Sequence, residues 1–176
     1  NISPTYSFGS EITRVEVDEE TGQVAVRQGV AAFDCGFAIN PMSVEGQIEG
    51  STLCGVGMSL MEERITEMGQ VLNPSYEGYK TPTALEQPQM RCFLVEPVDP
   101  EGPFGAKGLS EGGQAPVGPS IVNALYDATG VRFKELPVTP EKVLKAIDEN
   151  PTLSHTPSTG SGPSASRPPA SRSRSP

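Results

Sequence analysis

The 176 residues predict an α+β fold: a two-layer, mixed sheet with packed helices, long glycine-rich loops and a disordered C-terminal tail. Three observations point there. Apolar and polar residues alternate near the start, the period-2 signature of strands. A stretch over 42–62 has the length of a helix rather than of a strand. Two segments beyond residue 117 carry helix start and stop signals.

Taken in order, residues 11–18 alternate and residues 23–27 alternate again, with Glu19, Glu20, Thr21 and Gly22 between them. That pattern predicts a hairpin whose Val15 and Val17 face inward with Val24 and Val26. The second strand runs on through Phe33 to Asp34, where Gly36 and then Asn40-Pro41 end it. The helix over 42–62 carries Gly46, Gly50, Gly55 and Gly57, each costing about 1 kcal/mol against alanine in a helix interior. Gly46, Gly50 and Gly57 share one stripe at 100° per residue, which lets a backbone or a ligand lie directly against the helix. Packing of a second helix in that stripe is the competing reading. The later half, LCGVGMSLM, is apolar all round and is expected to be buried. Residues 76–83 and 87–88 read as irregular chain, and MRCFLVE over 90–96 as a short buried strand bounded by Pro97. A helix over 119–129 starts at Pro119 after Gly118, buries Ile121, Ala124, Leu125 and Ala128, and is closed by Gly130. Thr139-Pro140-Glu141 starts a last helix, burying Val143, Leu144 and Ile147, and Asn150-Pro151 stops it.

This division gives one domain over 1–150 and a tail over 151–176 built almost entirely of Ser, Pro, Gly, Thr, Ala and Arg. The tail is too poor in apolar residues to offset the entropy of ordering it. His155, the only histidine, falls in it. The net charge is −9; the tail holds Arg167, Arg172 and Arg174 and no acid, so the first 150 residues carry −12. An acidic body is a poor nucleic-acid binder, because affinity for phosphates comes from clustered Lys and Arg. Cys35, Cys54 and Cys92 are far apart, with no CxxC and no neighbouring histidine, so neither a zinc site nor an iron–sulfur cluster is built from them alone. Three lone thiols and the lack of an apolar run long enough to span a bilayer read as a soluble, cytoplasmic protein with no membrane span. A chain starting at Asn1 reads as a fragment, a processed product or one piece of something longer.

The chemistry concentrates in GPFGAKGLSEGG over 102–113, where glycines and Lys107 lead to a lone carboxylate, Glu111. Glycines let backbone N–H groups approach an anion closely; a plain solvated loop is the competing reading. A nucleotide P-loop is excluded, because Lys107 lies between Ala106 and Gly108 and no Ser or Thr follows it directly.

The segments DCGFAINP (34–41), EGQIEGS (45–51), YKTPT (79–83), EPVDPEGPFGAKGLSE (96–111), NALYDATGVR (123–132) and LPVTPEKVL (136–144) occur in one order. Together they resemble the C-terminal molybdopterin-binding region of the large subunit in the xanthine dehydrogenase, aldehyde oxidase and carbon monoxide dehydrogenase family of molybdenum hydroxylases. The resemblance implies an oxidoreductase that hydroxylates an aldehyde, N-heterocycle or similar small molecule with oxygen from water. It implies that Glu111 is the catalytic general base, taking a proton from the hydroxyl that the metal carries. It implies that Gly46, Gln47, Lys107 and Gly108 contact a molybdenum–molybdopterin cofactor, for which the cytosine dinucleotide form is one option. No side chain of this sequence is expected to bind metal directly. Ser51 and Ser110 stand where the family commonly has glycine, and Gly112-Gly113 replaces a more rigid continuation. The implied partners are the remainder of the large subunit, which supplies the other half of the site, iron–sulfur and flavin subunits that carry the clusters and FAD, and the small-molecule substrate. A truncated, non-catalytic remnant acting as an interaction module is the alternative.

Overall fold

The computed structural model describes residues 5–150. The Ser/Pro/Arg-rich tail, with its expected disorder and His155, lies outside them. Strands β1 (Gly9–Val17) and β2 (Val24–Asp34) form the expected antiparallel hairpin, with Val15 opposite Val26 and Val17 opposite Val24. Asp18 makes its turn: the side-chain carboxylate accepts the Glu20 and Thr21 N–H groups, and Gly22 takes φ +73°. The register slips once, between Arg14 and Val15, where Arg27 bulges from β2. Helix α1 (Pro41–Leu60) follows, then a small hairpin of β3 (Thr66–Glu67) and β4 (Gln70–Val71). Strand β5 (Gln89–Val95) lies parallel to β2, so the main sheet has the order β1-β2-β5 and is mixed. Helices α2 (Val117–Thr129) and α3 (Pro140–Asp148) complete the chain. The α+β, two-layer prediction holds.

Helix α1 lies over β2 and β5, and α2 over β1. Two apolar clusters fill the space beneath them. One joins Val26, Val56, Ile121, Leu125 and Val143; the other, at the far end of β2, joins Phe33, Cys35, Val44 and Ile48. The opposite face of the sheet is open, with Ile12 72% and Phe93 57% exposed.

Four sequence-based expectations change. Strand β5 is an edge strand with alternate residues exposed, not a buried one. In the later half of α1, Cys54 and Met58 face outward. Helix α2 starts at Val117, two residues early, because proline is tolerated in a first helical turn. Its buried row is Val117, Ile121, Leu125 and Thr129, while Ala128 is exposed. Gly130 closes it as expected, at φ +69°, its N–H donating to the Tyr126 carbonyl at 2.7 Å. The β3–β4 hairpin turns on Met68 and Gly69, both at positive φ.

The glycine stripe of α1 is divided. At Gly46 and Gly50 an added Cβ would meet open space, while at Gly57 it would run into the Pro82 ring. The closest helix–helix contact is instead at Gly55, where a Cβ would stand 2.5 Å from the Val117 Cβ. Gly55→Ala is therefore expected to destabilise the chain by about 1–3 kcal/mol through overpacking, despite alanine's better helix propensity. Urea unfolding checks it, and an unchanged midpoint would show that α1 and α2 separate without cost.

Candidate functional site

The site forms where β2 runs out. Asp34 ends the strand with a side chain 10% exposed: Oδ1 accepts the Gly36 N–H at 3.1 Å and Oδ2 accepts from Lys107 Nζ at 2.7 Å. Gly36, at φ +61°, turns the chain so that residues 35–37 zip against residues 105–107. The Lys107 N–H donates to the Cys35 carbonyl at 2.9 Å, and the Phe37 N–H to the Gly105 carbonyl at 2.8 Å. Asp99 closes the neighbouring turn. Its carboxylate accepts the Glu101 and Gly102 N–H groups, and the Glu101 N–H above all holds it below the usual range; its Oδ2 lies 4.0 Å from Lys107 Nζ.

From there the loop crosses α1. Ser43, Gln47 and Ser51 recur every four residues and so face one way. Gln47 and Ser43 line a cleft of about 200 Å³ with Asn40, Lys107 and Leu109, and the Ser51 hydroxyl donates to the Ser110 carbonyl at 3.0 Å. Behind the loop, Gly112 lies under the Phe33 ring and Gly113 against Ser51, where a Cβ would be 2.6 Å and 3.2 Å from its neighbour. Close approach thus requires glycine at 112 and leaves little room for a Cβ at 113. Asn40 caps α1, its Oδ1 accepting the Ser43 N–H at 3.2 Å with Pro41 at the first helical position.

Glu111 is exposed on this clasped loop, and its carboxylate meets no partner among the described residues; its carbonyl accepts the Gln114 N–H at 3.1 Å. Gly108 is exposed, its carbonyl accepting from the Ser7 hydroxyl at 2.6 Å while its N–H is unbonded among the described residues. Gln47 and Gly46 are exposed on α1. Gln47 and Lys107 share the cleft, whereas Gly46, Gly108 and Glu111 stand outside it. The Lys107 ammonium donates to Asp34 and to the Tyr6 carbonyl at 3.0 Å, and its N–H donates to the Cys35 carbonyl, so two of its three ammonium hydrogens are committed.

Sequence reasoning did not find the Asp34–Lys107 pair, whose members are 73 residues apart. It also passed over Glu11, on the inward face of β1 with Thr13, Val15 and Val17, although the strand's alternation marks it as an acid at a core position.

Among the described residues no helix is long and apolar enough to cross a membrane, and no cluster of three or more His, Cys, Asp or Glu could hold a metal ion.

Residues 1–88 match the model of the molybdopterin cofactor-binding domain family. The chain is 37% identical over 147 residues to the gamma subunit of the 6-hydroxypseudooxynicotine dehydrogenase complex of Paenarthrobacter nicotinovorans, covering 81% of this chain and 18% of that one. It is 37% identical to a probable hypoxanthine oxidase of Escherichia coli K12, covering 84% and 16%. Among solved structures, quinoline 2-oxidoreductase from Pseudomonas putida 86 superposes with a TM-score of 0.72 at 34% identity, covering 77% and 18%. Aldehyde oxidoreductase from Desulfovibrio gigas does so with 0.75 at 33%, covering 82% and 16%. The chain thus spans less than a fifth of the length of these proteins.

Proposed function

We propose, from the premise that this chain belongs to the molybdopterin cofactor-binding family of xanthine dehydrogenase and aldehyde oxidoreductase-type molybdenum subunits, that it supplies the proton-accepting carboxylate and part of the cofactor cradle of a molybdenum hydroxylase. The observation that carries this reading is the clasped loop. Its backbone is fastened to β2 and α1 at three points, yet the Glu111 side chain at its crest bonds nothing among the described residues. A carboxylate presented on a rigid support, with its lone pairs uncommitted, is suited to accept a proton from a reacting group and pass it on.

The residues present also fit the cofactor. Gly46 and Gly50 leave the exposed side of α1 without side chains, so a flat ring system can lie against the helix. Gln47 offers an amide that both donates and accepts, and Gly108 an unbonded N–H for an anionic oxygen. Lys107 braces the loop through Asp34 and borders the cleft beside Gln47, where its third ammonium hydrogen is left for a cofactor oxygen. When bound, a molybdenum–molybdopterin group, in its plain or cytosine dinucleotide form, supplies the redox centre that takes the substrate's electrons. The substrate is an aldehyde, an N-heterocycle or a similar small molecule. Residues 1–150 form the contributing domain, and the rest of a large subunit, with cytoplasmic iron–sulfur and flavin partners, completes the enzyme.

Two expected results test these roles in the assembled enzyme. Glu111→Gln lowers turnover by about 10²–10⁴-fold with molybdenum and pterin content unchanged; normal turnover would remove Glu111 from the mechanism. Gly46→Leu stabilises the chain by several tenths of a kcal/mol through helix propensity while reducing cofactor content. Full loading of that variant would show that the cofactor does not lie against α1.

A further inference from the structure

Buried oxygens at the other side of α1 belong to no part of the site above. Among the described residues, four buried side-chain polar atoms lack a hydrogen-bond partner: both carboxylate oxygens of Glu11 and the hydroxyls of Thr13 and Thr52. All three residues are at least nine-tenths buried, Glu11 8%, Thr13 9% and Thr52 0% exposed. They converge from two layers. Glu11 and Thr13 point from β1 toward the helices, and Thr52 points back from the buried row of α1. Gly29 on β2, opposite Thr13, has no side chain, and the Glu11 carboxylate leans over it, with Oε1 3.3 Å from where a Cβ would stand.

The Thr52 hydroxyl lies near enough to the Glu11 carboxylate to oppose the rise of its pKa, yet none of these oxygens reaches a hydrogen-bond partner. One molecule with two donors and two acceptors satisfies them, taking hydrogen bonds from both hydroxyls and giving them to the carboxylate. We infer that Glu11, Thr13 and Thr52 form an internal binding site for a single water molecule, which ties β1 to α1. The donor set favours water over a divalent cation. One carboxylate and two hydroxyls fall short of the six to eight oxygens that Ca²⁺ requires. A buried water typically makes about three hydrogen bonds, the number of side chains that meet here.

The test is a crystal structure of the whole chain with a rubidium soak, together with water ¹⁷O relaxation dispersion in solution. A single peak within hydrogen-bond distance of all three side chains, silent in the rubidium anomalous map, supports the site. So does loss of one long-lived water in Thr52→Val, a substitution that keeps the side chain's shape. Thr13→Val gives a second, independent loss should Thr52→Val not fold. Direct threonine–carboxylate hydrogen bonds with no peak between them would overturn the inference, as would a rubidium signal at that position or an unchanged count of long-lived waters in both variants.

Discussion

Lys107→Met is expected to destabilise the chain by about 3–5 kcal/mol, the cost of leaving a buried charge without its partner. The side chains of Lys107 and Asp34 are each 10% exposed and meet at 2.7 Å, so Asp34 would face an apolar end of β2 with only the Gly36 N–H left to it. Methionine keeps the length of the lysine stem, which separates loss of charge from loss of packing. The double variant Asp34→Leu/Lys107→Met removes both charges and is expected to recover much of the loss, because a buried ion pair and an apolar pair are often near parity. Urea midpoints of the single and double variants at equal slope give the coupling. If the double variant is no more stable than Lys107→Met, the pair is not what holds the loop. The loop itself gives a second readout. Lys107 and Cys35 root residues 108–113 to β2, so amide exchange there should quicken in Lys107→Met while α3 is unaffected.

That pair marks the border of what the sequence discloses. Local patterns were legible: the β1–β2 hairpin from alternation, the ends of α2 and α3 from Gly130 and Thr139-Pro140, and the loop from its crowded glycines. Each of these signals lies within a few residues of the structure it encodes. Burial of β5 was not legible, because an apolar run such as MRCFLV says nothing of sheet order, and β5 lies at an edge with Phe93 and Val95 on the open face. The glycines of α1 were recognised as close-approach positions, but which of them meets another helix depends on tertiary placement. Gly55, outside the stripe, takes Val117, whereas Gly46 and Gly50 meet nothing. Charge pairing over 73 residues is of the same kind: nothing local to Asp34 or Lys107 joins the two until the 35–37 and 105–107 segments are zipped together.

Glu11→Gln is expected to reverse sign with pH in its relation to the native chain. Burial pushes the Glu11 carboxyl from its ordinary 4.5 up to about 7, and the Thr52 hydroxyl opposes that rise without reaching a well-aligned hydrogen bond. A folded-state value above the unfolded one means that the native chain binds the proton more tightly than the unfolded chain does. The resulting stability is fully present below about 4.5 and is lost as pH rises through about 7. Over that window the loss comes to about 2–3 kcal/mol, allowing for partial screening. Glutamine cannot ionise and escapes the loss. Asp18, Asp99, Glu86 and Glu141, all shifted downward by their hydrogen bonds, act in the opposite sense and lose stability as pH falls. They are the same in both proteins and cancel in the difference. At pH 4 the protonated glutamate and the glutamine are both neutral, so Glu11→Gln should be equal to or slightly less stable than the native chain, its amide fitting the threonines less well. At pH 8 it should be the more stable of the two by about 2 kcal/mol. Urea unfolding of both proteins at four values between pH 4 and pH 8 decides it. Parallel stability curves would mean that Glu11 reaches solvent and ionises freely, and the threonines would then be facing a hydrated channel rather than a closed core.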